Sequence, residues 1–325
     1  MHRRELIKRG LAAAAATALP MPAFGYPDRP IKLVVPFAAG GVNDVVGRQW
    51  AEQMKTALGT VYVENIGGGA GVPGVMDVKR ADPDGHTVLF GSTTTMLLHT
   101  MTKKNLGYDP NRDFVPVAIF CVSTVAIAVH PSVPATNVKE LVAYAKANTG
   151  KISYGSAGTG TMSHLAAELF KLKTGMKDVV HVPYKGGGPA MADLISGHIP
   201  IMTPNVTSQI LGLQKSGKIR LIAVAAQSRL KGAPELPTAI EQGVPDMVGQ
   251  LFLGIFAHAA TPKPAVDAMS AATRKVMANE AFQKVLIASG FEPVGYFTAE
   301  EARRYMAGEH ARWKPVVDSI GLKTG

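Results

Sequence analysis

Residues 152–175 read Ile-Ser-Tyr-Gly-Ser-Ala-Gly-Thr-Gly-Thr-Met-Ser-His-Leu-Ala-Ala-Glu-Leu-Phe-Lys-Leu-Lys-Thr-Gly. A short β-prone run passes into a loop of glycine and hydroxyl residues, and the loop into a segment of helical apolar spacing that Gly175 closes. The same order recurs along the chain. IKLVVPF (31–37) leads through Ala-Ala-Gly-Gly into a helix with Val46, Trp50, Met54 and Leu58 on one face. VYVEN (61–65) precedes a glycine-rich loop, and HTVLFG (86–91) is the next strand. VVHVPY (179–184) gives way to Lys-Gly-Gly-Gly and a helix in which Pro189 suits the first position. Asn137 and Glu140 have capping-box spacing for a helix over 138–147, and Thr298 and Glu301 have it for the last helix. Further strands are expected around 115–130 and at IPIMT, RLIAVAA and QLFLGIFAH. Strand–loop–helix repetition of this kind predicts α/β architecture: parallel sheets with helices on both faces, and ligands bound beyond the carboxyl ends of the strands.

Composition narrows the function. The chain has 325 residues, 46% hydrophobic and 18% charged, which excludes intrinsic disorder and provides for about two domains. Residues 1–25 read as an export signal: basic MHRRELIKRG, the short apolar LAAAAATAL, and small residues allowing cleavage near Gly25. Arg3-Arg4 with Leu6-Ile7-Lys8 is twin-arginine-like, although His2 departs from that pattern and the general secretory route stays open. The signal carries a net +3 of the chain's +10, leaving +7 on an exported, periplasmic protein. Its Lys and Arg are scattered without a basic block or interleaved aromatics, so no nucleic-acid partner is expected.

The motifs that would carry chemistry fail on inspection. Gly69-Ala-Gly-Val-Pro-Gly74 spells a dinucleotide fingerprint, but the next strand ends in Gly-Ser-Thr where a ribose-binding carboxylate belongs. It is expected to be a structural turn. Tyr154-Gly-Ser-Ala-Gly158 has the shape of a nucleophile elbow with Tyr at its first position, and Ser163 and His164 are adjacent on a helix, pointing about 100° apart. No histidine pairs with another His or with Cys at metal-ligand spacing, and the single cysteine, Cys121, sits in an apolar run as a small hydrophobe. No catalytic residue, metal site or cofactor is expected. What remains is a set of loops, 39–41, 91–93, 157–160 and 186–188, rich in Gly, Ser and Thr ahead of helices. The first amides of a helix lack internal partners and carry the positive end of the dipole, so such loops favour a small anion.

Ordered motifs along the chain then carry a resemblance: Tyr26-Pro-Asp-Arg-Pro-Ile-Lys-Leu-Val-Val-Pro-Phe-Ala-Ala-Gly-Gly41 with Asp44, Ala81-Asp-Pro-Asp-Gly85, and Tyr108-Asp-Pro110 with Asp113-Phe114. His130-Pro-Ser-Val-Pro134, Tyr154–Gly158, His181-Val-Pro-Tyr-Lys-Gly186 and Glu292-Pro-Val-Gly295 complete it. Over 26–325 the sequence resembles the Bug family, the periplasmic substrate-binding proteins of tripartite tricarboxylate transporters. The resemblance implies a periplasmic binding protein type II-like fold of two Rossmann-like α/β domains joined by crossing hinge strands. Domain 1 would hold 26–125 plus 254–325, and domain 2 would hold 126–253. It implies a monomer that captures a small carboxylate and delivers it to membrane permease subunits. Presentation of the ligand to a sensor, or an enzyme on the same fold, are the alternatives. By position in the family pattern, the ligand-binding residues would be Phe37, Ala39, Gly40, Gly41 and Asp44; Thr93 and Thr94; Ser156, Ala157, Gly158, Gly160, Thr161, Ser163 and His164; and Tyr184 and Lys185. Where many members carry Phe-Asp-Asn, this chain has Thr203-Pro204-Asn205, which keeps Asn205 as a polar contact but removes a partner for an amine. Together with Phe252-Leu253 and Val42-Asn43, this points to a more apolar distal pocket and a mono- or dicarboxylate with an aliphatic or aromatic body.

Overall fold

In a computed structural model describing residues 25–322, the Ile31-Lys-Leu-Val-Val35 run forms β1, buried along nearly its whole length. The expected export signal falls outside the described residues, apart from Gly25 at its end. A strand apolar on both faces belongs inside a parallel sheet, and β1 lies between β2 (Val61–Asn65) and β3 (Thr87–Ser92), parallel to both. Helices α1 (Val42–Leu58) and α2 (Val72–Arg80) make the crossovers. The i, i+4 row read from sequence is the packed face of α1: Val46, Trp50 and Met54 are fully buried, and the Trp50 indole donates to Thr273 Oγ1 at 3.1 Å. Gly69–Gly71 is a short 3₁₀ turn packed against β1's exit: a Cβ on Gly71 would lie 3.0 Å from Pro36 O, and one on Gly74, in α2, 2.7 Å from Pro36 Cα. The fingerprint-like spelling is therefore backbone packing.

The chain next crosses between two sheets. β4 (Phe114–Thr124) belongs to the six-stranded sheet β11-β4-β10-β3-β1-β2, and one residue later β5 (Ala126–Val129) belongs to the five-stranded sheet β7-β6-β8-β5-β9. The second sheet repeats the logic of the first, with α3 (Val138–Ala147), β6 (Ser153–Ser156), α4 (Met162–Thr174), β7 (Val180–Pro183), α5 (Gly187–Ser196), β8 (Ile201–Met202), α6 (Ser208–Lys215) and β9 (Arg220–Val224). β10 (Gln250–His258) returns to the first sheet, followed by α7 (Lys263–Met277), α8 (Glu280–Ala288), β11 (Phe291–Tyr296) and α9 (Ala299–Ile320). The crossings are stitched side by side: Val125 N–H donates to Gly249 O, Gly249 N–H to Ala225 O, and Ala225 N–H to Val125 O, each at 2.8–2.9 Å. Gln250–Leu253, expected with the 126–253 domain, instead pair with Thr124–Cys121 of β4, so the return crossing sits at Gly249. A second shift concerns α5: it starts at Gly187, two residues early, and Pro189 occupies the third helical position, where its missing N–H costs no internal bond. Cys121 is wholly buried in β4, and that burial pushes its thiol pKa up.

The tightest point of the first sheet is Gly254, where a Cβ would lie 2.3 Å from Ala118 O and 3.0 Å from Ile119 Cα at a register shift between β10 and β4. Overpacking of this kind costs about 1–3 kcal/mol. Gly254→Ala is therefore expected to lower the urea midpoint with an unchanged m-value; an unchanged midpoint would show that the sheet yields there at no cost.

Candidate functional site

Between the two sheets lies a cavity of about 210 Å³. Three elements bring backbone to it: the β1–α1 loop with Phe37, Gly40 and Gly41; the β6–α4 loop with Ala157 and Thr161, continued by Ser163 in the first turn of α4; and the start of α5 at Gly187 and Gly188. Two of these helices begin bare. α1 starts behind Gly41 and α5 behind Gly186 with no side chain capping their first amides, whereas α4 and α6 are capped by Thr161 and Thr207. Uncapped first-turn N–H groups facing a cavity are a ready anion seat. The lining also carries an apolar stretch, Met191 and Ile195 further along α5 together with Met202, Ile210 and Leu251. Among the described residues, none that lines the cavity carries an ionisable side chain. Asn43 and Asn205 both line it, and the amide nitrogen of each is buried with no hydrogen-bond partner among the described residues.

The expected site residues divide into those that border the cavity and those that hold its loops. Phe37, Gly40, Gly41, Thr94, Ala157, Thr161, Ser163 and Asn205 border it. Asp44 does not. Burial pushes its carboxyl pKa up, but Arg48 at 2.9 Å, the Gly40 N–H at 3.0 Å and the Asn65 amide at 2.9 Å more than offset this and hold it below the usual range. Asp44 thus shapes the first glycine loop from behind. Thr93 accepts from Phe252 N–H at 2.7 Å and ties the turn after β3 to β10. Ser156, Gly158, Gly160 and His164 lie behind the 157–163 rim and bond within the loop. Tyr184 donates to Asp193 Oδ2 at 2.6 Å on α5, and Lys185 is exposed. Ala39 sits on the rim facing the other lobe.

Sequence reasoning missed the apolar wall of α5 and α6, because its residues read as ordinary core faces of amphipathic helices. It read Val42-Asn43 as making the pocket more apolar; both line the cavity, and Asn43 brings a polar amide to it. After Thr93 the chain makes a buried π-helical turn (Thr94–Leu98) in place of a loop, secured by the Tyr108 hydroxyl on Thr95 O at 2.6 Å.

The lobes meet across the cavity mouth through backbone. A Cβ on Gly186 would lie 3.2 Å from Ala38 Cβ, one on Gly188 2.9 Å from Ala39 O, and one on Gly41 3.9 Å from Gly187 N. Met162 N–H donates to Thr94 Oγ1 at 3.1 Å, joining the second lobe to the first. This is a closed arrangement, and at Gly186 and Gly188 it depends on the absence of a side chain.

Residues 46–322 match the family model described as the tripartite tricarboxylate transporter family receptor. The periplasmic binding protein BugD superposes with a TM-score of 0.86 at 33% identity, covering 92% of this chain and 100% of that one. A protein from R. palustris solved with adipate superposes with a TM-score of 0.88 at 29% identity, over 92% and 99% of the two chains. MatC from Rhodopseudomonas palustris, solved with bound malate, gives 0.84 at 28% identity, over 90% and 100%. All three are similar over both lobes, so the two-domain α/β fold of periplasmic binding proteins is shared throughout.

Closure makes a prediction. Gly188→Ala adds one methyl against Ala39 O inside a helical turn that alanine favours. The ligand-free protein is expected to keep its melting temperature, while binding weakens by about 1–3 kcal/mol in calorimetry because the closed state is strained. Undiminished affinity would mean that ligand is held without this contact.

Proposed function

The chain belongs to the family of tripartite tricarboxylate transporter receptors, periplasmic solute-binding proteins, and we propose that its ligand is a small carboxylate with an apolar body, handed on to a membrane permease. The observation that carries this reading is the make-up of the cavity: the uncapped starts of two helices, an apolar stretch, and no ionisable side chain in the described lining. A carboxylate satisfies amides that would otherwise be buried without partners. The size agrees, since about 150 Å³ already accommodates a benzene ring, so 210 Å³ holds a ring or short chain with its carboxylate. Adipate and malate, held by two similar proteins, are small carboxylates, and adipate has the aliphatic body. An ammonium group would find no carboxylate in the lining, so amino acids are excluded by the cost of burying an unpaired charge. Asn43 and Asn205 are the donors for a second oxygen on the ligand.

In this reading the lobe built on the six-stranded sheet and the lobe built on the five-stranded sheet open and close about the crossings at Val125 and Gly249. Cavity walls from both lobes are complete only when closed, so ligand shifts the population to the closed state that a permease would read. The receptor family performs capture and presentation without chemistry, and Thr94, Thr161 and Ser163 act in it as hydrogen-bonding groups.

A thermal-shift panel of mono-, di-, tri- and aromatic carboxylates, amino acids and sugars tests the reading. Ligand at about 100 times its dissociation constant adds about 2.7 kcal/mol, or roughly 5 °C for a chain of this size. Shifts are expected from carboxylates with four to eight carbons and from no amino acid; a response to amino acids or sugars alone would overturn the assignment. For the best ligand, Ser163→Ala is expected to weaken binding by about 1–2 kcal/mol, because Ser163 Oγ holds the Ala157 N–H at 2.9 Å and borders the cavity. Unchanged affinity in calorimetry removes Ser163 from the site.

A further inference from the structure

Behind the 157–161 loop two imidazole rings lie face to face. His164 of α4 and His181 of β7 stack with centroids 3.9 Å apart and planes 12° from parallel, and Tyr154 of β6 extends the stack at 4.9 Å from His181. Each ring is tied to the loop. His164 occupies the third position of α4 and accepts the Gly160 N–H on Nδ1 at 3.0 Å, doing for Gly160 what a capping-box glutamate does one residue nearer. His181 Nε2 meets Ser156 Oγ at 2.6 Å, and Ser156 Oγ in turn accepts the Gly158 N–H at 3.1 Å. Both ends of the loop, Gly158 and Gly160, are thus fixed through the stack. Both glycines have positive φ, 130° and 78°, a backbone that needs outside bonds to hold one conformation.

We propose that His164 and His181 act together as positioning residues, a neutral stacked pair that aims the 157–163 rim at the ligand and releases it when the pair takes up a proton. The inference rests on the reading of the cavity as the ligand site. An acceptor Nδ1 requires the proton of His164 on Nε2 and a neutral ring; at His181 the Ser156 hydroxyl either donates to Nε2 or, donating instead to Gly158 O at 3.3 Å, accepts from Nε2–H, and in both cases the contact ties Ser156 to the stack. A second proton has nowhere favourable to go: on His164 it would occupy the lone pair that holds Gly160, and two cationic rings at 3.9 Å repel. The charged groups around the pair act in opposition. Glu168 accepts from the Tyr154 hydroxyl at 2.5 Å and from Lys171 at 2.9 Å, so its attraction for a proton on the rings is largely answered by Lys171. Burial dominates, lowering His164 to about 4, with Glu168 pulling up and Lys171 down. Burial and then His164 lower His181 to about 3. The sign follows: the pinned loop is present above these values and is lost as pH falls through about 4.

The decisive measurements use the ligand-free full chain first. Long-range ¹⁵N–¹H NMR at pH 7 is expected to show His164 with an unprotonated Nδ1, and the Gly160 amide shift is expected to titrate with His164 near pH 4 and to lose that step in His164→Asn, whose Oδ1 can still accept from Gly160. By hydrogen exchange, His164→Leu is expected to speed the 157–161 amides by about tenfold, whereas His164→Asn stays within about threefold of wild type. An Nδ1–H tautomer, titration of His164 near neutrality, or equal exchange in the Leu variant would each overturn the proposal, and the first two need no variant to fold. Calorimetry with adipate as the probe then links the loop to binding: a roughly tenfold loss in His164→Leu with recovery in His164→Asn is expected, and full affinity in the Leu variant refutes the positioning role. Adipate silent on the wild-type protein, with the tautomer and exchange results as expected, would instead count against the carboxylate reading alone.

Discussion

A small anion held without arginine or lysine must be met by backbone amides, and amides from separate segments converge only where side chains do not stand between them. That steric constraint organises this molecule. In the proposed reading it explains why Gly41, Gly187 and Gly188 line the cavity, and why α1 and α5 start without capping side chains. A Ser or Asp cap would satisfy the very N–H groups that a ligand is to use. The same constraint allows the lobes to approach so closely that a methyl on Gly188 would collide with Ala39 O.

Glycine loops carry a cost in conformational entropy, and the structure offsets it from behind. Asp44, fixed by Arg48 and Asn65, bonds the Gly40 amide; Ser156, His164 and His181 do the same for Gly158 and Gly160. In both places the residues that look reactive in sequence are turned away from the cavity. An acid and two imidazoles that would be nucleophile, base or ligand contact in an enzyme serve instead to hold backbone still, and this is the physical form that binding without chemistry takes.

The sequence made legible what depends on local rules. The buried face of α1, the Asn137 cap and limits of α3, the Gly175 stop of α4 and the reciprocal Thr298–Glu301 cap are as read, because each is decided within a few residues. What was not legible depends on contacts distant in the chain. The return crossing is set at Gly249 by bonds to Val125 and Ala225, over a hundred residues away in one case, and no local signal at 249–254 marks it. The start of α5 precedes Pro189, with Gly186 against Ala38 and Gly188 against Ala39 of the opposite lobe, contacts that no local signal marks. His181 reads as one polar residue in a half-exposed edge strand, and only its stacking on a helix residue 17 positions earlier gives it a task.

Division of the cavity between backbone and side chains also bears on how one scaffold accommodates different ligands. The amide side depends on glycine, conformation and helix direction, so its preference for a carboxylate persists through most substitutions that leave the loops their shape. The rest of the lining is made of side chains, Met191, Ile195, Met202, Ile210 and the Asn43 and Asn205 amides, whose exchange alters volume and polarity without touching the backbone. Methionine in that wall adds adaptability, since its unbranched chain repacks around bodies of different shape. Affinity for the class and selection within it are therefore carried by separate atoms, and the closed lobes couple them: a ligand too long for the apolar side would keep Ala39 from reaching Gly188, and so would forfeit closure, however well its carboxylate is held.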